Sequence, residues 1–195
     1  MTAADDLSAA VDLAVSVIRG ADPERYADPT PCSDYTVADL VNHLAFGFLL
    51  AHHGATREPW PESWAGTDRA PFLRDLPEAQ WADAATKEGV AAAAAWADPA
   101  AWEGESHMGG GAMPAAAIGA MMTGEFVVHA WDLATATGQP FAVSPALGTA
   151  ALEAMSGMAS MGRDAGWIGP EVPVATDRPA FDRALGVAGR DPDRS

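Results

Sequence analysis

Apolar residues recur at helical spacing in five long stretches of this chain. Leu7, Val11, Ala14 and Ile18 line one face of a helix from about Asp5 to Arg19, which Gly20 and Pro23 stop. Val37, Leu40, Val41, Leu44 and Phe48 mark a second helix that runs out near His52-His53-Gly54. Its start is sharp: Thr36 with Asp39 three residues later resembles a capping box, with Asp in place of Glu. A third helix spans about Pro77 to Ala97, carries the helix-favouring run Ala91 to Ala95, and ends at Asp98-Pro99. The fourth runs from about Pro114 to Thr137, with proline in its first turn and Gly138 at its end. The fifth spans about Ser144 to Met161, with Ser144 as N-cap and Pro145 at the first helical position.

The segments between these helices read differently. Asp22 to Asp34 is a loop rich in Pro and Asp. Gly54 to Arg74, holding Trp60, Pro61, Trp64 and Pro71, is too long for a tight bundle connection. It folds over a pocket mouth or lies as an ordered surface loop pinned by its tryptophans. Trp102 to Pro114 reads as a short extended segment and a flexible turn around Gly109-Gly110-Gly111, which lack the Lys-Ser/Thr of a phosphate loop. In the Gly-, Pro- and Asp-rich tail, Phe181 to Val187 is the one periodic piece. Several helices with few strand signals predict an all-α bundle over residues 1–161, with an irregular C-terminal extension, 162–195, packed on it.

The fourth helix breaks the pattern in an informative place. Its inward stripe reads Ile118, Met122, Glu125, His129, Asp132, Ala136, so two carboxylates and an imidazole occupy an apolar seam. Glu125 and His129, four apart, stack one turn from each other. Buried charge is costly unless it is paired or holds a metal. His43, beside the apolar face of the second helix, supplies a third candidate ligand. Two imidazoles and a carboxylate from facing helices suit Zn²⁺, and also Fe²⁺ or Ni²⁺, and leave a position open as catalytic sites do. Asp132 is placed to orient a ligand imidazole or to take a proton from a bound water or thiol. His52 and His53, at a frayed and solvated helix end, and His107, before the glycines, compete as ligands. Met155, Met158 and Met161 fall three apart on the fifth helix, either as gap-filling core or as an adaptable wall for an apolar substrate.

Composition narrows the function classes. A chain of 195 residues, 49% apolar, can build one sizeable core. The net charge of -16, with Lys and Arg scattered, disfavours nucleic acid and anionic membrane as partners. No apolar run is long enough to span a bilayer, and the acidic N-terminus lacks the basic start of a secretory signal, so a cytoplasmic location is the default. The single cysteine, Cys32, excludes an internal disulfide and reads as a small buried hydrophobe. Monomer and homodimer are both left open.

Three stretches carry a family resemblance: Thr30-Pro-Cys-Ser-Asp-Tyr-Thr with Leu40-Val-Asn-His-Leu44; Val128-His-Ala-Trp-Asp-Leu-Ala-Thr-Ala-Thr-Gly138; and Phe181-Asp-Arg-Ala-Leu with Gly189-Arg-Asp-Pro192. On these the chain resembles the DinB/YfiT-like metalloenzymes. More narrowly it resembles actinobacterial metal-binding proteins related to the N-terminal domain of mycothiol-dependent maleylpyruvate isomerase. The resemblance implies a DinB-like four-helix bundle with a divalent metal, zinc or nickel, on His43, Glu125 and His129. It places Asp132 at a position that matters for catalysis in the isomerase. It implies chemistry on a low-molecular-weight thiol such as mycothiol, transferred to a small electrophile or used to isomerise one. The isomerase carries an additional C-terminal domain that the tail after Met161 looks too short to replace. Two other function classes stay open: a metal-binding module without turnover, and thiol-independent hydrolysis or rearrangement of a small metabolite.

Overall fold

The computed structural model describes residues 2–59, 61, 64, 72–108 and 111–194. Six helices and one short hairpin make up the regular structure of the described residues: α1 Ala3–Gly20, α2 Val37–Thr56, α3 Trp81–Trp96, β1 Glu105–Met108, β2 Gly111–Pro114, α4 Ala115–Thr137, α5 Pro145–Asp164 and α6 Ala180–Val187. The first four helices form the bundle. α1 and α2 are each flanked by α3 and α4 and barely touch each other, α5 packs on the outside of α4, and α6 packs on α5. The expectation of an all-α four-helix bundle holds. Among the described residues, no helix is long and apolar enough to cross a membrane.

Local chemistry sets the helix ends. Thr2 and Asp5 form a reciprocal capping box that starts α1 earlier than the apolar stripe predicted. The predicted box of Thr36 and Asp39 starts α2. α2 does not fray at His52-His53; it continues to Thr56 and is closed by Arg57 in the left-handed region, φ 59°. The Arg57 guanidinium donates to the carbonyls of Ala100, Glu103 and Glu105, and these bonds offset the strained backbone. α3 starts at Trp81, because Glu78–Gln80 form a separate 3₁₀ turn. Ser144 caps α5 as expected, and α5 runs past Met161 to Asp164, so the expected unit boundary falls inside a helix.

α4 is covered on most of its circumference, which makes it the central helix. Among the glycines of α4, packing is tightest at Gly119. A Cβ there would lie 2.5 Å from the Trp102 ring and 3.0 Å from Trp96. The extended segment before α4 is an antiparallel hairpin, with Glu105 opposite Pro114 and Met108 opposite Gly111. Gly109 and Gly110 of the expected turn lie outside the described residues. So do Trp60, Pro71 and most of the loop between them; the described parts are pinned. Leu73 is fully buried and its N–H donates to Asn42 Oδ1 at 2.8 Å. Trp64 meets Phe46 and His53 edge-on. Met155 and Met158 pack in a cluster with Val128, Ile168, Leu185 and Ala188, the core-filling reading, whereas Met161 is about half exposed.

Candidate metal centre

α2 and α4 are neighbours, and they bring His43, Glu125 and His129 together. The three ligand atoms lie within 4.8 Å of one another. Glu125 Oε2 is 3.3 Å from His129 Nε2 and 3.8 Å from His43 Nε2. Two bonds of about 2 Å at a tetrahedral angle put their ligand atoms about 3.3 Å apart, so the Glu125–His129 pair already has the spacing for a zinc-sized ion and the Glu125–His43 pair needs only a slight contraction. The two imidazoles stand nearly perpendicular, 79°, with centroids 4.8 Å apart. His43 and Glu125 keep 26% and 28% of their side-chain surface and form the open side, while His129 keeps 11%.

Asp132 lies behind His129 and is completely buried. Its Oδ2 is 3.0 Å from His129 Nδ1, the ring nitrogen facing away from Glu125. Arg190, from the segment after α6, closes the other side: Nη2 donates to Oδ2 at 2.8 Å and Nε to Oδ1 at 3.3 Å. A chain Arg190–Asp132–His129–Glu125–His43 therefore runs from the interior to the opening.

The charges respond to this arrangement. Burial pushes the Glu125 carboxyl up, but the hydrogen bonds and charges of His129 and His43 outweigh it and hold Glu125 far below the usual carboxylate range. Burial disfavours the charged form of His129, yet Asp132 and Glu125 raise it to about 9. Burial likewise opposes ionised Asp132, and His129 and Arg190 reverse this and lower its pKa. The two ionised carboxylates, Glu125 and Asp132, thus favour positive charge at the His129 imidazole between them. An ionised carboxylate with two imidazole nitrogens is a donor set that fits a divalent cation.

The expected site residues therefore converge as a group, while the competing histidines do not join them. His52 is half-buried with Nδ1 3.4 Å from the Ala91 carbonyl, His53 rests against Trp64, and His107 is exposed on β1.

Three further residues reach the site. Tyr35 lies over His43, with its hydroxyl 3.4 Å from Nδ1. Cys32 is partly buried, and its sulfur lies within 4.8 Å of ligand atoms of His129 and Asp132, so it borders the site instead of merely filling core. Burial raises its thiol to about 11 despite the nearby Arg190. Arg190 is the third.

The model of the mycothiol maleylpyruvate isomerase N-terminal domain matches residues 7–134. The chain belongs to this family. Two uncharacterized proteins of Mycobacterium tuberculosis, from strains CDC 1551 / Oshkosh and ATCC 25618 / H37Rv, are each 27% identical over 186 residues, covering 93% of this chain and 93% of the relative. The fold is similar to the crystal structure of the mycothiol-dependent maleylpyruvate isomerase, with a TM-score of 0.68 and 16% identity. That likeness covers all of this chain and 92% of the isomerase chain. It therefore takes in the C-terminal extension.

The matched family domain contains His43, Glu125, His129 and Asp132 but not Arg190. A carboxylate in the apolar seam of α4 needs a cation, and spacing along α4 cannot say which one; Arg190 lies in the Gly189-Arg-Asp-Pro192 stretch that carries the resemblance, which by itself names no role for it. Cys32 and Tyr35 sit in the Thr30-Pro-Cys-Ser-Asp-Tyr-Thr stretch that carries the resemblance, where their type alone names no role.

Proposed function

We propose that this protein is a metal-dependent enzyme of low-molecular-weight thiol chemistry, of the mycothiol-dependent S-transferase or isomerase type, acting on a small electrophile. The observation that carries this reading is the convergence of His43, Glu125 and His129, from two helices, on one point with an open side. Family membership supports the thiol class, and mycothiol is the thiol that the family's name and the similar solved structure both print.

In this reading His43, Glu125 and His129 hold the ion. A divalent cation there, zinc by the match of its donor set and nickel or ferrous iron as alternatives, stabilises the thiolate form of a thiol near neutral pH. Glu125 and His43 border the opening through which thiol and electrophile enter. Asp132 serves as the positioning residue: both of its oxygens are engaged and it has no exposed surface, so it fixes the His129 ring and tautomer. The alternative role for Asp132, accepting the thiol proton, requires a relay through His129. Arg190 keeps Asp132 ionised.

Elemental analysis followed by thiol-dependent turnover of an electrophile panel tests the reading. One divalent ion per chain and thiol-dependent turnover are expected, and both are lost in Glu125→Ala and His129→Ala. Tight metal binding with no thiol consumption would identify a module without turnover. Turnover that persists when thiol is omitted would identify hydrolysis or rearrangement. Full activity in a metal-free variant overturns the metal role.

A further inference from the structure

The two imidazoles are held from behind by different groups. His129 leans on a carboxylate, Asp132, at 3.0 Å. His43 has its Nδ1 directed at a phenol, Tyr35, at 3.4 Å. We propose that Tyr35 is a second positioning residue of the metal centre, acting on His43 as Asp132 acts on His129: an aromatic wedge that sets the His43 ring and its angle to His129. This rests on the reading of His43, Glu125 and His129 as the ion-holding set.

The geometry of the wedge carries the argument. The Tyr35 ring lies 5.0 Å from the His43 ring, tilted 33°, and meets the His129 ring edge-on at 6.4 Å and 86°. One side chain thus touches both imidazoles, which themselves stand 79° apart. Packed aromatic pairs in these ranges resist rotation of either ring. A hydroxyl oxygen at Nδ1 also favours the tautomer with hydrogen on Nδ1, which leaves the Nε2 lone pair facing Glu125 and the opening. The distance is long for a hydrogen bond, and such contacts tighten when a site is loaded.

A wedge must itself be fixed, and Tyr35 is. Its carbonyl accepts from the Thr30 hydroxyl at 2.9 Å, and its N–H donates to the Cys32 carbonyl at 2.9 Å. Thr30 is buried and donates to the Cys32 carbonyl as well. Immediately after Tyr35 come the Thr36–Asp39 capping box and an ion pair between Asp39 and Arg74. The Val37 and Ala38 N–H groups donate to the carbonyls of Asp28 and Tyr26. The loop before α2 is therefore tied at both ends of the tyrosine, and the tyrosine stands eight residues before the histidine it orients.

Tyr35→Phe keeps the ring and removes the hydroxyl; Thr30→Val keeps the tyrosine and loosens its loop. Zn²⁺ affinity is measured by competition with a chromophoric chelator, and the ligand field by visible absorption of the Co²⁺-loaded protein. Loss of a group that orients a metal-binding histidine lowers affinity about 10- to 100-fold. Tyr35→Phe is expected near the lower end, with a shifted Co²⁺ spectrum and an unchanged melting temperature of the metal-free protein. Thr30→Val is expected to weaken Zn²⁺ binding in the same direction by a smaller factor. Zn²⁺ affinity within twofold of the parent and an unaltered Co²⁺ spectrum in Tyr35→Phe would overturn the role of the tyrosine. A parent protein that binds neither ion would instead overturn the metal reading, so the two failures are distinct.

Discussion

Arg190→Met tests the energetics of the charge chain directly. The substitution keeps an unbranched apolar stem and removes the guanidinium. It takes away both donors to Asp132, at 2.8 and 3.3 Å, and the donor to the Ala188 carbonyl at 2.6 Å. Asp132 has no exposed surface, and the Arg190 side chain keeps only 10% of its own. Water therefore cannot replace the lost partner without opening the packing of the extension on α4. Orphaning one member of a buried pair costs about 3–5 kcal/mol. His129 Nδ1 remains at 3.0 Å as a second partner, which places the expectation at the low end, about 3 kcal/mol. For a chain of this size that is a fall of about 6–12 °C in melting temperature. Urea denaturation of metal-free protein measures it, with Asp132→Asn and the double variant completing a thermodynamic cycle. The double variant is expected to cost clearly less than the sum of the singles, because it leaves no buried charge without its partner. A cost below about 1 kcal/mol for Arg190→Met, or strict additivity, would refute the claim that the pair is buried and coupled.

Two further outcomes follow from packing and burial. Gly119→Ala gains helix propensity but places its Cβ 2.5 Å from the Trp102 ring, and both indoles are tethered by N–H bonds, Trp102 to the Trp96 carbonyl and Trp96 to the Ala51 carbonyl. A net loss of about 1–3 kcal/mol is expected in urea unfolding, whereas Gly157→Ala, with open space at its Cβ, gains a few tenths of a kcal/mol or more; equal effects at the two sites would contradict the packing. Burial lifts the Cys32 thiol to about 11, so at pH 8 only about one thiol in a thousand is ionised and alkylation runs roughly a hundredfold slower than in urea-unfolded protein. The native rate is expected to climb with pH towards that value, and a native rate within tenfold of the unfolded one at pH 8 would show that the thiol is not held in a buried environment.

The helices were legible because each carries its own instructions. The Thr36–Asp39 box, Ser144 before Pro145, and Gly138 after the fourth stripe act within a few residues, and the structure uses all three. Boundaries slipped where the deciding contact was distant. α2 outlasts its histidines because Arg57 is fastened to carbonyls more than forty residues away. The hairpin before α4 was half visible, since pairing across a turn depends on register that short strands do not spell out.

The same division runs through the metal centre. Spacing by itself placed Glu125, His129 and Asp132 on one inward stripe and put His43 beside the core face of α2, because a helix converts intervals of three and four into a shared face. It also showed that a buried carboxylate there needs a counter-charge. Periodicity carries no information about which remote segment meets a face, so only the tertiary structure decided the rest. It brings Arg190 to Asp132 across 58 positions, and sets Tyr35 against two imidazoles from different helices. It moves Cys32 from an anonymous core position to the edge of the site. Those pairings are fixed by how the extension, the loop before α2 and the central helix bury their surfaces against one another, a property of the assembled chain and not of any one stretch of it.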